Sequence, residues 1–285
     1  MKQTLLKMLL LSVCLASQPV LAASLHNQIP SCYAAGKLEV PAPASVQALF
    51  IVLDETVVLD DSLQRALWDA VRPQLQPGTQ VAVYRFSAFS QGRYLDGVAG
   101  GTLEAPIDAR LRDSISVPKL RQFDSCLKGQ AEFGQRLVRE AIGKVLAAST
   151  STLARSDILS SLSALSQQVA AAQAGRRKVL LVSDMLENSS ISSFYQNGGV
   201  RRIDPNVELK KLEQEKLTAD FGGAEIYVMG AGLIGGDTKS SNKGPQSYRD
   251  PKTMAALKSF WDTYFRRSHA DLIEFGAPAL LAPLR

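Results

Sequence analysis

Unbroken apolar runs of strand length constrain this chain more than any other feature. "QALFIVLD" (47–54), "RRKVLLVSD" (176–184) and "AEIYVMGAG" (224–232) each carry four or more consecutive apolar residues. A strand with one wet face alternates polar and apolar side chains, so an unbroken run needs cover on both faces. A parallel sheet between two helix layers provides that cover. The segments between the runs supply the helices. Leu63, Ala66, Leu67, Ala70 and Val71 form one stripe over 61–72, ended by "QPGT". Phe133, Leu137, Ala141, Ile142 and Val145 form a second stripe, and Ile158, Leu159, Leu162, Leu165 and Val169 a third. A charged helix is expected near 205–218, and residues 251–267 place Met254, Leu257, Phe260, Trp261, Tyr264 and Phe265 at helical spacing. "QVAVYRFSAF" (80–89) reads as a further strand, "GRYLDGV" (92–98) as a polar edge strand and "ADLIEFG" (270–276) as the last strand. Residues 99–129 interrupt this rhythm with paired glycines, two prolines and many charges, and are expected to be an irregular insertion. The fold class that follows is α/β, a mainly parallel central sheet with helices on both faces, in one domain over 46–285.

The first 22 residues read differently. Lys2 and Lys7 precede the apolar run "MLLLSVCLA", and Val20 and Ala22 place small residues where a signal peptidase cuts. This is the pattern of a secretory signal peptide cleaved after Ala22, too short in its apolar part to span a bilayer. The expected location is the periplasm or the exterior, with residues 23–45 as an N-terminal arm. Cys14 belongs to the leader and follows Val13, a poor residue before a lipidated cysteine. Cys32 and Cys126 remain, and in an oxidising compartment a disulfide between arm and insertion is expected.

Composition excludes several functions. The net charge of +5 includes the two leader lysines, and no dense basic run interleaved with aromatics suggests nucleic acid as a partner. His26 and His269 are the only histidines, and H-E-x-x-H, G-x-S-x-G and C-x-x-C are all missing. Zinc-protease, α/β-hydrolase and thioredoxin chemistry therefore lack their parts.

Ligands of open parallel sheets collect beyond the carboxyl ends of the strands. Asp54 and Thr56 follow the first strand, Asp184 ends "VLLVSD", and Ser156 and Asp157 open a helix. Carboxylates and hydroxyls arriving from three loops suit a hard cation, Mg2+ ahead of Mn2+ or Ca2+. Helix capping by Asp61, Ser156 or Asp157 competes with that reading. An aspartate after a first strand could also be a phosphoryl-accepting nucleophile, so a metal-dependent phosphohydrolase using Asp54 is the enzymatic alternative.

Taken in order, "FIVLDETVV", "ARSDILSSL" and "LLVSDMLEN" resemble the three motifs of the von Willebrand factor type A (VWA) fold, over roughly residues 46–276. The resemblance implies a metal-ion-dependent adhesion site, in which a divalent cation keeps one position open for a partner's carboxylate. Asp54, Thr56, Ser156 and Asp184 match the family's ligand positions, while Val58 stands where a second serine is usual and cannot ligate. The site is thus a degenerate one.

"VMGAGLIGG" carries Gly230, Gly232 and Gly235 at G-x-G-x-x-G spacing, but a polar stretch rather than a helix follows, so no nucleotide is expected. The stretch 184–205 is the candidate recognition surface. Glu187 and Asn188 lie just past the strand, as Glu55 does after the first. Phe194, Tyr195, Arg201 and Arg202 add aromatic area and positive charge. Alternatively, the two aromatics anchor the loop to the domain. The expectation is a non-enzymatic binding module whose partner is another protein, an envelope component.

Overall fold

The structure is a computed structural model that describes residues 25–87, 95–151, 155–196, 199–215, 217, 219–233 and 250–285. In chain order its elements are α1 (Cys32–Ala35), β1 (Ser45–Asp54), α2 (Asp61–Val71), β2 (Thr79–Phe86), β3 (Asp96–Leu103), α3 (Ala109–Arg112) and α4 (Val117–Ala148). There follow α5 (Ile158–Ala171), β4 (Ala174–Val182), β5 (Tyr195–Gln196), β6 (Gly199–Val200), α6 (Pro205–Gln214), β7 (Ala224–Met229), α7 (Pro251–Arg267) and β8 (Ala270–Gly276). The fold is a mixed α/β domain built on a six-stranded sheet of order β3-β2-β1-β4-β7-β8. Every pairing in it is parallel except that of β3 with β2. Numbering only the sheet's own strands, the order is 3-2-1-4-5-6, so the winding direction reverses between β1 and β4. β5 and β6 form a separate small ribbon.

The unbroken apolar runs become the central strands because both of their faces are covered. Phe50 and Val52 of β1, with Val179 and Leu181 of β4 and Ile226 and Val228 of β7, pack against α5, α6 and α7. The intervening residues Leu49, Ile51, Leu53, Leu180, Val182 and Met229 pack against α2, α4 and the C-terminal segment around Leu284.

One sequence expectation fails. The stretch 99–129 is irregular only in its middle: residues 99–103 complete β3, 117–129 are the first turns of a 32-residue α4, and 104–116 between them hold only the four-residue α3. Its stripe does not start at Phe133 but runs Phe123, Leu127, Gln130, Gly134, Val138, Ala141 and Val145, all buried. Pro118 sits in the first turn, where no amide partner is lost, so it opens this helix rather than breaking it. Gly134 lets α4 cross β3 closely, since a Cβ there would stand 2.6 Å from Leu103. The glycines of β3 have a similar cause: a Cβ on Gly101 would meet Asn27 and Ile29 of the arm at 2.5 and 2.6 Å. The arm also closes this sheet edge. The Gln28 amide donates to the Gly100 carbonyl at 2.9 Å, and the Asn27 side chain accepts from Thr102 N.

At about 1.5 Å per residue α4 is roughly 48 Å long, against about 33 Å for the ten residues of β1. Its N-terminal half therefore overhangs the sheet and builds a small core of its own with Cys32, Tyr33, Ile107, Phe123 and Leu127. Cys32 and Cys126 are joined there as a disulfide across 94 residues. Glu104 adds a polar lock, accepting from Cys32 N at 2.6 Å and from Gln130 Nε2 at 3.2 Å. Closing a loop that long implies that Cys126→Ser lowers the unfolding free energy by about 2–4 kcal/mol. The measurement is the urea midpoint, and adding Cys32→Ser should lower it no further.

Candidate functional site

Asp54 ends β1 and Ser183 and Asp184 follow β4, so both carboxylates stand where the winding of the sheet reverses. The segment before α5 reaches the same place: Ser156 and Asn188 exchange backbone hydrogen bonds of 3.2 and 3.0 Å, and Asp157 N donates to the Ser87 carbonyl beyond β2. Asp54, Thr56, Ser156 and Asp184 therefore share one rim of the sheet.

Asp54 is 2% exposed and accepts four hydrogen bonds. Thr56 gives two of them to Oδ1, from its amide at 3.0 Å and its hydroxyl at 2.6 Å. Ser156 Oγ at 3.1 Å and Ser183 Oγ at 2.8 Å donate to Oδ2. Asp184 is buried too, its Oδ1 accepting from Leu186 N at 2.8 Å and its Oδ2 from the Tyr195 hydroxyl at 3.0 Å. Neither carboxylate receives a hydrogen bond from a lysine or arginine side chain among the described residues. Burial raises both above the ordinary aspartate range. For Asp54 the donor groups of Thr56, Ser183 and Ser156 oppose the rise; for Asp184 the nearby Asp54 charge adds to it. Burial and the Asp184 charge likewise push the Tyr195 phenol up, keeping it protonated as a donor.

Met185, the next residue, adopts φ 62°, a left-handed conformation unfavourable to a residue with a side chain. Its amide donates to Ser183 Oγ at 3.0 Å and its carbonyl accepts from Trp261 Nε1 at 2.9 Å, so both strand exit and helix α7 hold the turn.

The capping expectations divide. Asp60, not Asp61, caps α2 by accepting from Ser62 N and Leu63 N. At α5 neither Ser156 nor Asp157 supplies a side-chain cap; Ser156 donates to Asp54, and Glu187 Oε2 accepts from Leu159 N at 2.9 Å.

Several residues expected to face a partner do not. Phe194 is fully buried, its ring edge-on to Phe260 at 5.2 Å, so it anchors its loop instead. Glu187 is also fully buried. Arg201 is held inward, donating to Glu208 Oε1 at 2.6 Å and to the Ser193 carbonyl at 2.6 Å. Glu55 is paired with Arg85 at 3.1 Å. Arg202 is exposed, and Asn188 and Tyr195 are half-buried. Ser183 was missed, although it stands beside Asp184 in "LLVSD"; alternation along a strand gives no warning that the residue after the last pairing turns its hydroxyl back to the neighbouring strand's carboxylate. Gly230 and Gly232 have φ of 98° and 73° and make turn contacts, Gly232 N donating to the Asp184 carbonyl at 2.8 Å; Gly235 lies outside the described residues.

The donor set is compatible with a hard cation. Two carboxylates and the hydroxyls of Thr56, Ser156 and Ser183 share the rim, with no lysine or arginine hydrogen-bonded to either carboxylate among the described residues, while Val58 is 53% exposed and offers no oxygen. No three His, Cys, Asp or Glu residues gather as a metal cluster among the described residues, so hydroxyls and water would have to complete the shell.

The domain thus defined is a doubly wound α/β unit with its polar site at the reversal point. Among solved structures, it is similar to the TFIIH p34 N-terminal domain, at 13% identity over 65% of this chain and 81% of that one, with a TM-score of 0.25. At that score the likeness bears on neither site nor partner. No protein-family model matches the chain, and no curated protein does.

Glu187 generates a pH prediction. Its Oε1 makes no hydrogen bond, and burial raises its pKa from 4.5 to about 8, against the opposing Ser189 hydroxyl and Leu159 amide. The folded protein therefore holds this proton more tightly than the unfolded chain, so the group costs stability as pH rises from 4.5 to about 8. Glu187→Gln should match wild type near pH 4 and exceed it increasingly up to pH 8, by on the order of a few kcal/mol. Thermal melts across that range test the divergence.

Proposed function

We propose that this is an exported, non-enzymatic protein-binding module whose site is the Asp54–Asp184 rim. The carrying observation is the pair of buried carboxylates, Asp54 and Asp184, which accept hydrogen bonds from hydroxyls and from no cationic side chain among the described residues. In this reading Asp54, Thr56, Ser156, Ser183 and Asp184 hold a divalent cation, Mg2+ or Mn2+, directly or through water. The cation supplies an open coordination position and the positive charge the pocket lacks. The residues of the chain do the rest: the hydroxyls orient Asp54, the Met185 turn fixes Asp184, and half-buried Asn188 lies beside the site, its backbone paired with Ser156. An acidic side chain of an envelope protein is the partner chemistry that such a site takes. The signal-peptide pattern of residues 1–22 supports the exported location.

One feature weighs against Asp54 as a phosphoryl-accepting nucleophile: Thr56 occupies the place where phosphatases of that type carry a second aspartate.

Thermal unfolding with and without Mn2+ is the test, comparing wild type with the near-isosteric Asp54→Asn. At a hundredfold excess over its Kd, the ion should stabilise wild type by about 3 kcal/mol, or roughly 5–10 °C. The variant should gain little. Equal shifts in both proteins, or none in either, reject the metal-bridged reading; metal-dependent turnover of an aryl phosphate abolished by Asp54→Asn replaces it with a phosphohydrolase.

A further inference from the structure

We infer a second binding site, in the cavity between the end of α5, strands β2 and β3 and the N-terminal arm, for a small uncharged aromatic molecule with one hydrogen-bonding group. The cavity holds about 210 Å3. Gln168 and Ala171 of α5 wall it on one side and Leu25 of the arm on the other, over Phe50 of β1 and Ala82 of β2. Gly100 of β3 also lines it and contributes no side chain to fill it. None of the rim residues Asp54, Thr56, Ser156, Ser183 or Asp184 takes part, so this site stands whether or not the rim holds a cation.

The chemistry of the lining selects the ligand. Tyr84 lines the cavity and is only 3% exposed, yet its hydroxyl makes no hydrogen bond among the described residues. Buried hydroxyls almost always have a partner, so an unpaired one beside a hollow marks where an incoming group would complete the bond. Burial also pushes the Tyr84 phenol up, which keeps it protonated and able to donate. The half-buried side-chain amides of Gln80 and Gln168 make no hydrogen bond among the described residues either, and both face the same cavity. No Asp, Glu, Lys, Arg or His lines it, so a charged ligand would lose its hydration without gaining a counter-charge. Size narrows the class further. A cavity of roughly 150 Å3 accommodates benzene, and drug-sized ligands need roughly 300 Å3 or more. The intermediate volume here suits one substituted ring. A sugar of that bulk needs a partner for every hydroxyl, and the Leu25, Phe50, Ala82 and Ala171 surfaces offer none. An aromatic ring uses those apolar walls and leaves a single polar group for Tyr84 or a glutamine amide.

Phenol is the probe, titrated into the purified protein and followed by saturation-transfer-difference NMR. It should bind saturably, with a Kd on the order of 0.1–1 mM for so small a ligand. Benzoate, of similar size but charged, should bind about tenfold more weakly or worse. Tyr84→Phe keeps the ring and removes the donor, so it should weaken phenol binding about three- to tenfold, as for one lost hydrogen bond. Its urea midpoint should not fall below that of wild type, because the deleted hydroxyl has no partner in the free protein. Ala171 is exposed at the end of α5, so Ala171→Trp can fill the cavity from the solvent side and should abolish binding. The site is overturned by an absence of saturable phenol binding, or by binding that survives Ala171→Trp. Equal phenol affinity in Tyr84→Phe, or benzoate binding as tight as phenol, overturns the ligand class and the anchoring role of Tyr84.

Discussion

The rest of the site is organised around the burial of a carboxylate, Asp54, at the exit of the central strand β1. A buried carboxylate is costly unless every lone pair is satisfied. Here the donors come from three separate segments: Thr56 just past the strand, Ser156 before α5, and Ser183 past β4. Satisfying one side chain therefore ties the exit of β1 to two segments that lie 102 and 129 residues further along the chain. The cost of Asp54 becomes the specificity of the rim, because freeing the Thr56 turn leaves Oδ1 without a donor and freeing either serine segment leaves Oδ2 with only one.

The second carboxylate does not repeat this arrangement. Asp184 receives one donor per oxygen, and one of those is a phenol on a short ribbon. Each Asp54 oxygen thus accepts two hydrogen bonds, whereas each Asp184 oxygen accepts one. The aromatic cluster of α7 supports both. Trp261 fixes the Met185 carbonyl, and Phe260 receives Phe194, so the packing of a distant helix determines where the turn after β4 and the start of the ribbon lie.

Much of this was legible from the chain alone. Uninterrupted apolar runs identified β1, β4 and β7 because strands covered on both faces have no other composition. The positions of Asp54, Thr56, Ser156 and Asp184 at element ends followed from the same boundaries. The misread segment, 99–129, shows where pattern reading weakens. Gly100, Gly101, Gly129 and Pro118 are breakers by propensity, yet the first two admit the N-terminal arm and the last occupies the first turn of a helix. Likewise Phe194, Glu187 and Arg201 look like surface recognition groups in sequence, since nothing local tells a loop residue that α6 and α7 will enclose it.

What the sequence determined by itself is the layered α/β class, and which residues stand at strand exits, because periodicity and burial follow directly from the order of side chains. Tertiary structure alone decided which exits meet and which neighbours each polar group finds. Ser183 bonding to Asp54 across the sheet, Tyr195 closing on Asp184 and Glu187 losing all solvent depend on contacts between distant segments, which have no local signature.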